Sequence, residues 1–106
     1  MAFEVNRTIS ANHPSLPGHF PDAPLVPGVL ILDEVLAALR DKHKDCQLTA
    51  IRAVKFLHPL KPEQLFTIRL SVSTRNAREV NFCCRIDDRA IAEGQLEIHC
   101  GREVTL

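Results

Sequence analysis

The sequence predicts an α+β fold in which an antiparallel β-sheet wraps around one central buried helix. Three observations predict it. A single long apolar run, "GVLILDEVLAALRDKHKD" over residues 28–45, has helical length. The segments after it alternate apolar and polar residues with a period of two. Five of the seven prolines crowd into residues 11–27, a stretch that is neither a helix interior nor a central strand.

Residues 2–10 alternate loosely and predict an edge strand. Pro14, Pro17, Pro21, Pro24 and Pro27 follow in a loop. Pro27 suits the first helical position, where its missing N–H has no intrahelical partner in any case. Val29 to Leu32 and Val35 to Leu39 are apolar on nearly every side, so the helix must be largely buried, and it turns polar from Arg40 towards Lys44. "QLTAIRAVKFL" predicts a strand closed by "HPLKPEQ". "LFTIRLSVST", "EVNFCCRID" and "AIAEGQLEIHC" predict three more, with "RNAR" and "DDRA" short enough for hairpins. A half-apolar sheet needs a cover, and the helix is the one element available.

The 106 residues fit one domain, 1–106, with a modest core that an oligomer would reinforce. Lys plus Arg equals Asp plus Glu, 13 each, which gives no electrostatic reason to expect nucleic acid or an anionic membrane. No apolar run approaches the roughly 18 residues of a membrane span, and "MAFEVNRTIS" lacks the pattern of a signal peptide, so a cytoplasmic location is expected. Cys46, Cys83, Cys84 and Cys100 are then expected as reduced thiols. No spacing suits a metal, and no cofactor is expected.

Two acids, Asp33 and Glu34, interrupt the apolar helix. At helical spacing Asp33, Ala37 and Arg40 lie near one line, and Glu34, Ala38 and Asp41 near the next. Such a strip faces solvent or a second subunit, or else it serves chemistry. The functional reading starts from the helix N-terminus, where Gly28 permits close approach to free N–H groups and a positive dipole end. That arrangement suits a carbonyl oxygen gaining negative charge. His19, in the preceding loop, titrates nearest neutral pH and is the natural proton carrier.

The stretch "GHFPDAPLVPGVLILDEV" closely resembles the active-site segment of the β-hydroxyacyl-acyl carrier protein dehydratases, which have the hot-dog fold. Their pattern reads approximately G-H-F-P-x-x-P-x-x-P-G-V/C-L-x-x-D/E. Gly18, His19, Phe20, Pro21, Pro24, Pro27, Gly28, Val29, Leu30 and Asp33 fall in register, with the histidine and the acid fourteen apart (33 − 19 = 14). The predicted element order also matches that fold over nearly the whole chain. The resemblance implies that His19 abstracts the α-proton of a 3-hydroxyacyl thioester and that Asp33 protonates or orients the departing hydroxyl. It implies that Gly28 and Val29 form the substrate-binding and oxyanion site, the Gly28 N–H polarising the carbonyl, with Phe20 and Glu34 as accessory residues. It further implies an acyl carrier protein as partner and a homodimer whose shared sites take histidine from one subunit and acid from the other. A cis His19–Phe20 peptide is a feature that the family can have.

Asp22 stands where the family usually has glycine, and Asp33 is the acid of the branch that also isomerises, where the broader branch has glutamate. Glu34 is about 100° further round the helix and does not replace Asp33 without a shift. "HPSLPGHFP" looks more like the small dehydratases of aryl-polyene-type pathways. The alternatives are a hot-dog acyl thioesterase, a non-catalytic acyl or acyl-carrier-protein binding subunit and, from another class, a polyproline ligand formed by Pro21, Pro24 and Pro27. His13 and His58 precede prolines and are expected in turns, His43 ends the helix, and His99 lies on the outer face of the last strand. Arg52, Lys55 and Arg69 are candidates for attracting an acidic carrier protein.

Overall fold

The computed structural model describes residues 2–12 and 25–101. The elements run β1 (Ala2–Arg7), α1 (Gly28–Lys42), β2 (Cys46–Phe56), β3 (Phe66–Val72), β4 (Glu79–Ile86) and β5 (Arg89–Cys100). All five strands form one sheet in the order β1-β3-β4-β5-β2, and every neighbouring pair is antiparallel. The alternation in β3 and β4 is the expected one. Phe66, Ile68 and Leu70, then Val80, Phe82 and Cys84, are buried on the face that carries α1. The β4–β5 connection is a two-residue turn, since Ile86 pairs with Arg89. Asp87 there takes φ 52°, a left-handed conformation that Asp tolerates better than most residues.

β2 departs from simple alternation, and its sequence shows why. Its large apolar residues fall at 48, 51, 54 and 56, a spacing that period two cannot place on one face. Register shifts between Leu48 and Ala50 and between Ile51 and Ala53 absorb one extra residue each. Leu48, Ile51, Val54 and Phe56 therefore lie opposite Ile98, Leu96, Gly94 and Ala92, on the same face as α1. The helix covers them only in part: Ile51 is 45% and Phe56 52% exposed.

α1 buries Leu30, Ile31, Val35, Ala38 and Leu39 in the core. Its opposite side is open, with Val29 exposed at 61% and Asp33 and Arg40 exposed beside it. The expectation of a helix buried nearly all round thus holds along one stripe of this chain. Pro27 is the capping residue rather than the first helical one. Its carbonyl accepts from Leu30 N–H at 2.9 Å, and no side chain among the described residues caps the helix.

The cysteine expectation is corrected. Cys46 and Cys100 face each other at the start of β2 and the end of β5 and form a disulfide. Fifty-four residues separate them, so only the strand register reveals the pairing. Cys83, half-buried, and Cys84, buried, are free. Burial first, and the neighbouring Cys83 second, push the Cys84 thiol up from 9.0 to about 12. We therefore expect native, non-reduced protein to show one readily titrated thiol, Cys83. Cys84 should react with a thiol reagent only after denaturant is added, and fast labelling of both would contradict this placement. The sign of the pH effect follows from the same shift. The unfolded thiol ionises above its ordinary 9.0 while the folded one stays neutral to about 12, so the Cys84 contribution to stability declines as pH rises across that interval.

Candidate active site

The start of α1 borders an open cavity of about 400 Å³. Val26, Gly28, Val29 and Ile31 line one side, and Phe56 to Leu60 line the other. The two sides are tied together, since Val26 N–H donates to the Leu60 carbonyl at 2.8 Å. Leu57 and His58 N–H both donate to the Ile91 carbonyl, at 2.8 and 3.3 Å, which fixes the far side on β5. The cavity opens where Val29 and Phe56 are exposed.

Gly28 and Val29, singled out from sequence, therefore line one cavity at a helix start that no described side chain caps. The group lying close to Gly28 is the Phe56 ring. A Cβ at position 28 would stand 2.7–2.8 Å from three of its ring carbons. Gly28→Ala should therefore displace a half-exposed ring, which rotates cheaply. Ala also favours the helix over Gly by roughly 1 kcal/mol. We expect urea unfolding to show a net change within about 1 kcal/mol, whereas misplacing a bound carbonyl should lower activity roughly tenfold or more. A large loss of stability would show that the ring cannot move.

The two helix acids separate. Glu34 is half-buried and turned towards β1, where its carboxylate lies 3.9 Å from Arg7 Nε. Arg7 also reaches Asp41, at 3.3 Å. Arg7 thus points inward from an edge strand onto the helix line that carries Glu34, Ala38 and Asp41. Asp33 sits on the other line, exposed, with no ion pair among the described residues. His19, Phe20 and Asp22 lie outside the described residues, as does the His19–Phe20 peptide, so the structure does not bring His19 and Asp33 together or apart.

Two of the three cations considered for a carrier protein are already paired. Arg52 binds Glu97, and Arg69 binds Glu4 at 3.4 Å. Lys55 lies across from Glu93 in the β2–β5 register. Sequence reasoning passed over His58, which the structure places in the same cavity as Gly28. Its position before Pro59 suggested only a turn; the signal is its place two residues after Phe56, the last apolar β2–β5 anchor, which becomes visible once the strand register is known.

A five-stranded antiparallel sheet carrying one helix, with an apolar cavity at that helix's start, defines the class: an α+β domain of the hot-dog type. The sequence model of the ApeI-like family, described as ApeI dehydratase, matches residues 1–95, and the chain belongs to that family. A 3-hydroxyacyl-[acyl-carrier-protein] dehydratase FabZ of Chlamydia trachomatis is 31% identical over 105 residues, covering 87% of this chain and 68% of that protein. Among solved structures, the dehydratase heterocomplex ApeI:P from Xenorhabdus doucetiae superposes with a TM-score of 0.79 at 22% identity, covering 93% of this chain and 87% of that one. An acyl-CoA hydrolase variant from Staphylococcus aureus gives a TM-score of 0.70 at 18% identity, covering 93% of this chain and 65% of that one. At these identities the two structures establish the fold alone.

Proposed function

We propose that this protein dehydrates 3-hydroxyacyl-acyl carrier protein thioesters to trans-2-enoyl thioesters, working in the cytoplasm. The observation that carries the reading is the cavity at the start of α1, with Gly28 on its wall inside a motif that matches a dehydratase family. In this mechanism the Gly28 N–H polarises the thioester carbonyl, which acidifies the neighbouring carbon. His19 takes the proton from that carbon. Asp33 gives a proton to the departing 3-hydroxyl, so the C–H and C–O bonds break, a C=C bond forms and water leaves. Asp33 suits this role better than Glu34, because Arg7 holds Glu34 against β1. No metal or cofactor enters the scheme.

The active unit in this proposal is a homodimer with shared sites. β2 is an eleven-residue strand at the sheet edge, and Leu48, Ile51 and Phe56 stay exposed on its helix-side face. The other edge, β1, is short and carries the inward-pointing Arg7, a device that discourages pairing, whereas β2 has no such charge on that face. A second copy covering β2 and Val29 would close the cavity and bring its own loop to Asp33. Incubation with a 3-hydroxyacyl-carrier-protein thioester tests the reaction. Loss of water with retention of the thioester supports it, whereas release of free acid would assign the site to thioester hydrolysis.

A further inference from the structure

We propose that His58 is a substrate-binding residue, whose Nε2 accepts a hydrogen bond from an amide N–H on the thiol arm of the thioester. This rests on the thioester reading of the α1 cavity. Among the described residues, the rest of that cavity's lining is glycine, proline and apolar side chains, including Val29, Phe56 and Leu60. A polar side chain set in an otherwise apolar stretch of wall selects a ligand that carries a matching polar group at that point.

The ring is set up to accept. His58 Nδ1 lies 2.8 Å from the Pro59 carbonyl oxygen, and a carbonyl can only accept, so Nδ1 carries the hydrogen. In the neutral ring this leaves Nε2 as an acceptor without a hydrogen. The backbone is held as well, by the His58 and Leu57 N–H bonds to Ile91 and by the Val26–Leu60 bond on the other side. A fixed backbone and a fixed tautomer spare the binding step the ordering of both.

Position distinguishes an amide from the reacting end of the substrate. His58 is half-buried and also borders a second cavity beside Asp87, Asp88 and Arg89, so it stands at the rim. The carbonyl belongs at Gly28, and the arm that trails outward from it to its carrier crosses the rim. That arm bears amide N–H groups, whereas the 3-hydroxyl lies on the other side of the carbonyl.

Binding measures this without requiring turnover. The probes are S-hexanoyl-N-acetylcysteamine, which carries one amide and no hydroxyl, and the amide-free ethyl thioester of the same acid. His58→Phe keeps a ring and removes the acceptor, and should weaken the amide-bearing probe by roughly fivefold to tenfold while leaving the ethyl thioester unchanged. His58→Gln, which returns an acceptor near Nε2, should recover part of the loss. Equal binding of the first probe by parent and His58→Phe, or equal weakening of both probes, would overturn the proposal. So would a loss confined to a 3-hydroxyacyl ethyl thioester. A parent protein that binds the amide probe through His58 yet releases no water from a hydroxyacyl thioester would sink the dehydratase reading and leave this one standing.

Discussion

Asp33→Asn is expected to lower kcat/KM for dehydration by roughly 10²- to 10⁴-fold, the usual worth of a positioned general acid. The protein should remain folded, because Asp33 is exposed and pairs with no described residue. Glu34→Gln provides the contrast. It loosens a partly exposed pair with Arg7, worth about 1 kcal/mol or less, and should leave kcat within a few-fold of the parent. Steady-state kinetics beside thermal unfolding would separate the two. A Glu34→Gln protein as inactive as Asp33→Asn, with both folded, would mean that the helix turns its other line towards the substrate.

The second large effect concerns stability. Gly94 sits in β5 between Phe82 of β4 and Val54 of β2. A Cβ there would stand 2.1 Å from the Ala53 carbonyl oxygen and 2.7 Å from the Phe82 ring. The obstacle is backbone, which cannot rotate aside as Phe56 can at Gly28, so β2 must shift away from β5. Gly94→Ala should destabilise by about 3 kcal/mol, at the upper end of overpacking effects, and move the urea midpoint down accordingly. Activity should fall with it, since Phe56 and the cavity wall hang from the same strand pair. An unchanged midpoint would show that the β2–β5 register differs from the one described.

The contrast between these two glycines marks what the sequence reveals and what it hides. Gly28 stood out because it opens an apolar helix inside a recognisable motif. Gly94 drew no notice in its alternating strand, and its necessity appears only when Ala53 and Phe82 arrive from other strands. β3, β4 and β5 were legible because one face is buried and a one-residue slip would expose it. The face of β2 was not, because two bulges reset its period. Burial of the helix was overestimated, since an apolar surface left open by the chain has the same composition as one packed into its own core. The acids Asp33 and Glu34 could not be told apart by periodicity. Arg7, 27 positions before Glu34, makes that distinction through a contact that no local pattern encodes. The Cys46–Cys100 pair and the Arg52–Glu97 and Arg69–Glu4 pairs are likewise products of strand register.

The central claim is a dehydratase site built by two copies of the chain. The most direct test mixes two inactive proteins, His19→Ala and Asp33→Asn, under conditions that exchange subunits. Half of the resulting dimers are mixed, and each mixed dimer holds one site with both residues intact, so about a quarter of the parent's dehydration activity should return. If the mixture stays inactive although mixed dimers form, the histidine and the acid act within one chain or not together, and the shared-site account is wrong.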